Sequence, residues 1–344
     1  MLENATSTPA VLPDKELENT VWVKDVCAGD RACVTVCPAN TLAYDHETHK
    51  PYTLNPCIDC KACLDICPRT PANLKVLRTG DVIGPFIDIT SAKSALNVPR
   101  SQNGGVVTTL LTTAFEEDFI DCALVMGGDR WAQKAYPLVA RSPEDLKKTA
   151  GSKYNSNGVI ETLKEVAKDP SIRNIAIVGT PCTIEAIGLL RKSSNEYNQK
   201  LAAKIRFAIG LFCFEVFDDS FIEEVTSKLS VPSWKIEKIN AGEGKLTVYL
   251  RDGEIKAIPL QSLSDKVRMG CQACGDFTAR MSDISVGSVG SGESASTVII
   301  RTPEGKGLFE IAESTGRVNT VAGVDKAAIE KVGKLKFKKN NKNL

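Results

Sequence analysis

Two segments near the start of the chain carry closely spaced cysteines. Residues 57–68 read CIDCKACLDICP and follow the spacing C-x2-C-x2-C-x3-C-P; residues 27–38 read CAGDRACVTVCP, with Asp30 where the second cysteine would stand. Thiolates at this spacing are typical ligands of a [4Fe–4S] cluster, and zinc sites rarely use so tight a run. The two segments therefore predict iron–sulfur clusters and the transfer of single electrons.

Two such runs in tandem are typical of a bacterial-type two-cluster ferredoxin, in which the fourth cysteine of each run ligates the other cluster. This crossing predicts one cluster on Cys57, Cys60, Cys63 and Cys37. It predicts the other on Cys27, Cys33, Cys67 and the residue at position 30.

Asp30 is the departure from the ordinary ferredoxin pattern. A carboxylate is a harder ligand than a thiolate. Asp30 therefore either binds iron through oxygen, giving an altered [4Fe–4S] cluster or a [3Fe–4S] cluster, or lies in a solvated loop beside a three-cysteine site.

Four further cysteines lie in the larger C-terminal part. Cys182 and Cys213 each follow an apolar run that is typical of a buried strand, and Cys271 and Cys274 form a C-x2-C pair. Four thiolates from three segments predict a third cluster, again [4Fe–4S]. Structural zinc and unlinked buried thiols are the alternatives.

Composition limits the function classes. The chain has 344 residues, with 43 basic and 42 acidic side chains, so charge gives no whole-molecule signature of nucleic-acid binding. No apolar run approaches the length of a membrane span, and the N-terminus lacks the pattern of a signal peptide. Twelve cysteines without an export signal indicate a reducing, cytoplasmic compartment. Two histidines nearly exclude histidine-based acid–base chemistry.

The expected fold class is α+β, with a two-cluster ferredoxin domain over residues 1–80 and a mixed α/β module over residues 81–344. A short hairpin is expected over 41–56. In the module, strands are expected over 81–90, 121–127, 174–179 and 204–214, alternating with helices over 106–118, 183–192 and 218–229. Such alternation places sites at the carboxyl ends of strands.

Two segments of the module have a different character. Residues 234–260 alternate apolar and polar side chains between GEG and RDG turns, which predicts an antiparallel β-hairpin insertion. Residues 331–344, KVGKLKFKKNNKNL, are strongly basic and are expected to form a disordered tail, with docking on an acidic partner or lipid surface as the alternative.

Glycine-bearing stretches offer places for a cofactor. They read RSQNGGVV (100–107), AGSKYNSNG (150–158) and DISVGSVGSGES (283–294). The first ends in two glycines at the expected start of a helix, where backbone N–H groups favour an anion. Tight turns explain each stretch about as well.

Several motifs in order resemble the β-subunits of the coenzyme F420 hydrogenase/dehydrogenase family. They are SQNGGVVTTLLTTAFEEDFIDCALVMGG, AGSKYNSN, VGTPCTIEAIGLLRK, GLFCFE and GCQACGDFTARMSDISVGSVGS, within residues 81–310. The resemblance implies a flavin-binding module in which FAD exchanges hydride with the deazaflavin F420 beside a [4Fe–4S] cluster. With its fused ferredoxin, the chain resembles most the electron-input subunit of a membrane-associated F420 dehydrogenase complex.

The resemblance also implies site residues. FAD is expected to contact Ser101, Asn103, Gly104, Gly105, Val106, Thr108, Gly151, Ser152, Lys153, Tyr154, Gly179, Thr180, Pro181, Asp276, Phe277, Thr278, Gly287, Ser288, Val289 and Gly290. Basic candidates for the phosphate and acidic tail of F420 are Arg100, Lys153, Arg191 and Arg268.

The implied function is electron input from reduced F420, through FAD and three iron–sulfur clusters, to a partner. That partner is another subunit of the membrane-associated complex, which would place the protein peripherally on the inner face of the membrane, or a soluble ferredoxin. Alternatives are the input subunit of another F420-linked enzyme such as formate dehydrogenase, or an iron–sulfur electron-transfer subunit without flavin.

Overall fold

The N-terminal region is a ferredoxin-type domain built from two similar halves. The structure, a computed structural model, describes residues 11–155 and 158–340. The elements of this region are α1 (Pro13–Leu17), a π-helical turn (Glu18–Trp22), α2 (Ala32–Val36), β1 (Leu42–Asp45), β2 (Lys50–Thr53), α3 (Ala62–Ile66) and α4 (Pro71–Leu77). Strands β1 and β2 pair antiparallel, which confirms the hairpin expected there.

The elements of the larger part alternate as its sequence predicts. In chain order they are β3 (Asp88–Ser94), α5 (Val106–Glu116), β4 (Cys122–Gly128), β5 (Ala135–Ala140), α6 (Pro143–Thr149), α7 (Glu161–Val166), β6 (Ile175–Gly179), α8 (Pro181–Lys192), α9 (Glu196–Ala202), β7 (Ile205–Leu211), α10 (Phe221–Leu229), β8 (Ile236–Gly242), β9 (Lys245–Leu250), β10 (Ile255–Pro259), β11 (Ile284–Gly287), β12 (Ser296–Ile300), α11 (Pro303–Ser314), β13 (Val318–Val321) and α12 (Lys326–Asn340). Short 3-10 turns cover Ser233–Lys235, Leu260–Lys266 and Met269–Ala273.

An eight-stranded mixed sheet forms the centre of the molecule. Its strand order is β13-β3-β12-β11-β7-β6-β4-β5, and the central strands β11, β7, β6 and β4 run parallel. Side chains along β6 alternate between two cores: Ile175 and Ile177 pack with α7 and α8, while Ala176 and Val178 pack with α5 and α11. Burial on both faces explains the continuous apolar run of this strand.

Strands β8, β9 and β10 form a separate antiparallel sheet, one strand more than a hairpin. The sheet packs on α10 through an apolar core that includes Phe221, Val225 and Val248. Along the chain, this small sheet lies between α10 and the cysteine pair Cys271 and Cys274.

The ferredoxin-type domain packs against the helices that flank the sheet. Leu17 and Ile66 share one apolar core with Ile184 of α8. The side-chain amide of Asn195 donates to the Cys60 carbonyl (2.6 Å), and that of Asn198 donates to the Ala62 carbonyl (3.0 Å). The ferredoxin-type domain and the larger part of the chain are therefore held together by an apolar, hydrogen-bonded interface.

The structure corrects two local expectations. The strand expected over 81–90 begins only at Asp88, because Gly84 takes a left-handed φ of 76° and Pro85 lacks an amide N–H for a strand ladder. The expected disordered tail is helical in α12 as far as Asn340, where Ile329 packs into an apolar core; residues 341–344 lie outside the described residues. Within residues 11–155 and 158–340, no helix is long and apolar enough to cross a membrane.

Candidate cofactor-binding site

Four predicted ligands lie in the loop before α2, in α2 itself and at the end of α3. They are here called the inner group: Cys27, Asp30, Cys33 and Cys67. Burial raises the pKa of the Cys33 thiol well above its usual range, and the charges of Cys67, Cys27 and Asp30 raise it further. Cys67 belongs to the second cysteine run and the others to the first. The structure thus places Cys67 of the second run beside residues of the first run, and the assignment of these four residues to one cluster stays a prediction.

The other predicted ligand set, here called the outer group, consists of Cys37, Cys57, Cys60 and Cys63. Burial, together with the charges of Cys60, Cys37 and Cys57, raises the pKa of Cys63 to about 12. All four cysteines line one small surface cavity. The neighbouring Ile58 is 55% exposed, so this group lies close to solvent.

Asp30 is buried rather than solvated, with 6% of its surface exposed. One carboxylate oxygen, Oδ1, accepts a hydrogen bond from the backbone N–H of Ala32 (2.9 Å), and the other, Oδ2, is buried without a hydrogen-bond partner. Burial raises the pKa of this carboxyl group. An orphaned oxygen beside three thiols fits an iron ligand and contradicts the solvated-loop alternative.

The third group comprises Cys182 at the start of α8, Cys213 just after β7, and Cys271 and Cys274 around the last 3-10 turn. Burial raises the pKa of Cys213, and the charges of the other three cysteines raise it further, so the four lie near one another. The backbone N–H of Cys213 donates to the Phe277 carbonyl (3.0 Å), which ties the strand end to the cysteine pair.

The inner and third groups are neighbours. A Cβ atom on Gly270 would lie 1.8 Å from the carbonyl oxygen of Cys27, so the two loops touch at their backbones. Arg268 fills the space above Gly29, and its Nη2 donates to the Tyr44 hydroxyl (3.2 Å). The inner group therefore adjoins the third group, and the outer group lines a surface cavity.

No three His, Cys, Asp or Glu side chains among the described residues converge closely enough to hold a single metal ion. A [4Fe–4S] cluster spreads its ligands around an iron–sulfur core, so its ligands need not converge on one ion.

Helix α12 supplies buried polar groups to the third group. Lys336 is 1% exposed, and its ammonium donates to the Cys213 carbonyl (2.7 Å). The side-chain amide of Asn340 donates to the Cys274 carbonyl (2.8 Å). Burial lowers the pKa of Lys336, but electrostatic interaction with Cys274, Cys213 and Cys271 outweighs it, so the pKa is raised. The sequence analysis missed this role because lysine-rich composition alone does not show which lysine is buried.

A cleft with more basic than acidic side chains opens at the carboxyl end of β4. Its lining includes the predicted FAD residues Gly151, Ser152, Lys153 and Tyr154 together with Arg100. Burial, followed by the charge of Arg100, lowers the pKa of Lys153 to about 8. The Lys153 ammonium donates to the carbonyls of Thr149, Ala150 and Gly151, which fixes its position.

The other predicted FAD residues lie in loops near the sheet. Gly105, with φ of 68°, precedes α5, and Gly104 leaves no room for a side chain because a Cβ would lie 2.7 Å from the Ala92 carbonyl oxygen. The remaining members of that stretch are Ser101, Asn103, Val106 and Thr108. Gln102 within this loop keeps Oε1 buried without a partner, an acceptor that the sequence analysis missed.

Three further predicted stretches carry internal contacts and are absent from the lining of the cleft. Gly179 abuts the Thr183 side chain after β6, ahead of Thr180 and Pro181. Asp276 accepts hydrogen bonds from the backbone N–H groups of Thr278 (3.0 Å) and Arg280 (2.8 Å), with Phe277 between them. Gly287 faces the Phe212 ring, and Ser288, Val289 and Gly290 complete that turn. Their contact with FAD stays a prediction.

Only two of the four basic candidates for F420 line the cleft, Arg100 and Lys153. Arg191 instead forms an ion pair with Asp283 (3.0 Å) before β11, at the opposite edge of the sheet, and Arg268 lies between two cysteine groups. The cleft gains Arg130, Lys148 and Lys238, which the sequence analysis missed because Lys238 comes from the separate β8 sheet.

Comparison with known proteins identifies the family of this chain. Residues 20–68 match the 4Fe-4S dicluster domain, residues 89–164 the N-terminal region of the coenzyme F420 hydrogenase/dehydrogenase beta subunit, and residues 172–326 its C-terminal region. An uncharacterised protein of Methanocaldococcus jannaschii is 34% identical, covering 96% of this chain and 98% of the relative.

Two further similarities are to proteins with assigned roles. One subunit of the F(420)H(2) dehydrogenase of Methanosarcina mazei is 32% identical, covering 90% of this chain and 88% of the relative. A chain of the F420-reducing [NiFe] hydrogenase complex from Methanosarcina barkeri superposes with a TM-score of 0.72 at 29% identity, covering 76% of this chain and 92% of that chain. The chain therefore belongs to the family of coenzyme F420 hydrogenase/dehydrogenase beta subunits and carries an additional N-terminal iron–sulfur domain.

Proposed function

We propose that this protein is an electron-input oxidoreductase that oxidises reduced coenzyme F420 through FAD and passes single electrons through three iron–sulfur clusters to a partner. The observation that carries the proposal is the series of three four-ligand groups, which leads from loops at the sheet edge to a cavity at the surface. When bound, FAD would accept hydride from the deazaflavin and release electrons singly, and the clusters would carry single electrons.

The residues of the cleft would bind and orient the two flavin-type molecules. Its lining has more basic than acidic side chains: Arg100, Arg130, Lys148, Lys153 and Lys238 against Asp129 and Glu237, of which Glu237 pairs with Arg130. Phosphate groups and the acidic tail of F420 complement that charge. The buried Oε1 of Gln102 offers one acceptor for a ligand N–H or hydroxyl group.

The residues around the inner and third groups would shield part of each cluster from water. Cys33, Cys67, Cys182 and Cys274 are each at most 9% exposed, whereas Cys27, Cys213 and Cys271 are half-buried. Cys37 and Cys63 of the outer group are each 7% exposed. Low exposure protects clusters from oxidation and lets nearby buried charges set their potentials.

The outer group would be the exit for electrons. Its four cysteines line the surface cavity, and exposed side chains such as Ile58 and Lys61 surround it. The partner is proposed to be another subunit of a dehydrogenase complex, as in the relative from Methanosarcina mazei, or a soluble ferredoxin.

An anaerobic assay tests the proposal. Protein reconstituted with iron, sulfide and FAD is mixed with reduced F420 and a one-electron dye. Return of the oxidised deazaflavin's absorbance together with dye reduction is expected. Intact clusters without acid-releasable FAD would instead favour an electron-transfer subunit without flavin. Bound FAD with unchanged reduced F420 would show that the substrate assignment is wrong.

A cleft variant with a matched control sharpens this test. Lys238→Met removes one charge from the cleft lining, whereas Lys245→Met removes an exposed charge on β9 of the same small sheet. We expect KM for reduced F420 to rise in the first variant only. Equal KM values in the two variants would contradict the assignment of this cleft to F420.

A further inference from the structure

A buried ion pair joins the inner and third groups. Arg69 follows Cys67 by two residues, and Glu185 lies about one helical turn after Cys182 on α8. Arg69 Nη1 and Glu185 Oε2 are 2.9 Å apart, and their side chains are 1% and 4% exposed. The pair therefore connects a ligand-bearing loop of one group directly to the ligand-bearing helix of the next.

Arg69 has more donors than its protein surroundings can accept. Its Nη1 donates to the Pro68 carbonyl (3.0 Å) and to Glu185, while Nε and Nη2 are buried without any hydrogen-bond partner. A buried donor of a charged group that is left unpaired destabilises the fold. Three N–H bonds on these two nitrogens thus call for acceptors that the polypeptide does not supply.

The surroundings of the guanidinium identify those acceptors. Arg69 lies two residues after Cys67 of the inner group, and its ion-pair partner Glu185 lies three residues after Cys182 of the third group on the same helix. One guanidinium thus lies between ligand-bearing segments of both groups. The sulfur atoms of clusters bound there are the hydrogen-bond acceptors that a buried N–H would meet.

We propose that Arg69 is a positioning residue shared by two clusters, donating N–H hydrogen bonds from Nε and Nη2 to sulfur atoms of the inner and third clusters. A positive charge and hydrogen bonds to sulfur both favour the more negative, reduced cluster, so they raise its potential. Glu185 holds the guanidinium in place and partly offsets its charge. The inference rests on the proposed function because it requires clusters at both groups.

The test compares variants of the full, anaerobically reconstituted protein by iron content and by redox titration followed with EPR. Arg69→Gln alone leaves Glu185 buried without its counter-ion, so the main variant is the neutral pair Arg69→Gln/Glu185→Gln. We expect unchanged iron content and at least tenfold weaker electron affinity of the inner and third clusters. Tenfold corresponds to a reduction potential about 59 mV lower for a one-electron couple.

The outer cluster is the internal control, and its potential should stay at the wild-type value. Glu185→Gln alone should raise the potentials of both the inner and the third cluster, because it removes the negative charge that offsets Arg69 and keeps the size of the side chain. Wild-type potentials in the neutral pair, with full iron content, would overturn the inference and leave Arg69 a merely structural role. Wild-type protein that fails to bind iron at these groups would instead overturn the proposed function itself.

Discussion

The two halves of the ferredoxin-type domain have similar backbones and opposite surroundings. Arg31 and Lys61 occupy equivalent positions and both take a left-handed φ before a five-residue helix. The inner group of the first half is enclosed by Arg69, Arg268 and the third group, whereas the outer group of the second half opens to a surface cavity. Equal cysteine spacing therefore does not give equal clusters, because tertiary packing determines burial and charge.

Removal of iron should show the largest difference between the halves. Because the outer cysteines line an open cavity, a ferrous chelator should release about four iron atoms per chain in a fast first phase. The remaining iron should follow slowly. Stopped-flow absorbance of the iron–chelator complex would measure both phases.

Cys63→Ala is the control for this experiment, since it removes an outer ligand and should abolish the fast phase alone. Release of all iron in a single phase by the wild-type protein would contradict the proposed difference in accessibility.

Exchanging the one ligand that differs should make the clusters alike. Asp30 and Cys60 occupy the second position of their runs. With Asp30→Cys the inner cluster gains a fourth thiolate, so its EPR spectrum and potential should change. The reciprocal Cys60→Asp should change the outer cluster only, because a hard oxygen ligand replaces a soft sulfur. An Asp30→Cys spectrum identical to that of the wild type would show that Asp30 binds no iron.

Much of this contrast follows from short-range patterns in the sequence. Cysteine spacing predicts the ligand sets of the ferredoxin-type domain because each run is local, whereas the predicted third set joins three distant segments; the apolar run of β6 predicted a buried strand. The partner of Arg69, by contrast, lies 116 residues further along the chain, and Lys238 reaches the cleft from a separate sheet. Contacts of this kind depend on how elements pack, which no local pattern specifies.

A smaller electrostatic effect should distinguish the third group from the outer group. Lys336→Met removes the buried charge beside Cys213 and should lower the potential of the third cluster by tens of millivolts. The outer potential should stay unchanged. Lys338→Met, an exposed lysine of the same helix, is the matched control. Redox titration followed by EPR measures both, and equal shifts in the two variants would contradict a specific role for Lys336.

The smallest expected effect concerns Arg31 and Lys61, the two residues with a left-handed backbone conformation. Lys61→Gly relieves an unfavourable φ and removes an exposed side chain, so it should change stability by zero to about +1 kcal/mol. Arg31→Gly relieves the same strain but loses the ion pair with Glu161 and the stacking of the guanidinium on Tyr44 (4.6 Å), for a net cost of about 1–2 kcal/mol.

Anaerobic thermal melts of the cluster-loaded proteins at one scan rate would measure these changes. Arg31→Gly should lower Tm, and Lys61→Gly should raise Tm or leave it unchanged. Equal losses in both would mean that the backbone geometry, rather than the surroundings of the inner half, controls stability at this position. An opposite result, with Lys61→Gly the more damaging, would show that Lys61 makes a contact needed for the outer cluster. Either outcome would remove the asymmetry that packing of the first half against α7, through Glu161, is expected to create.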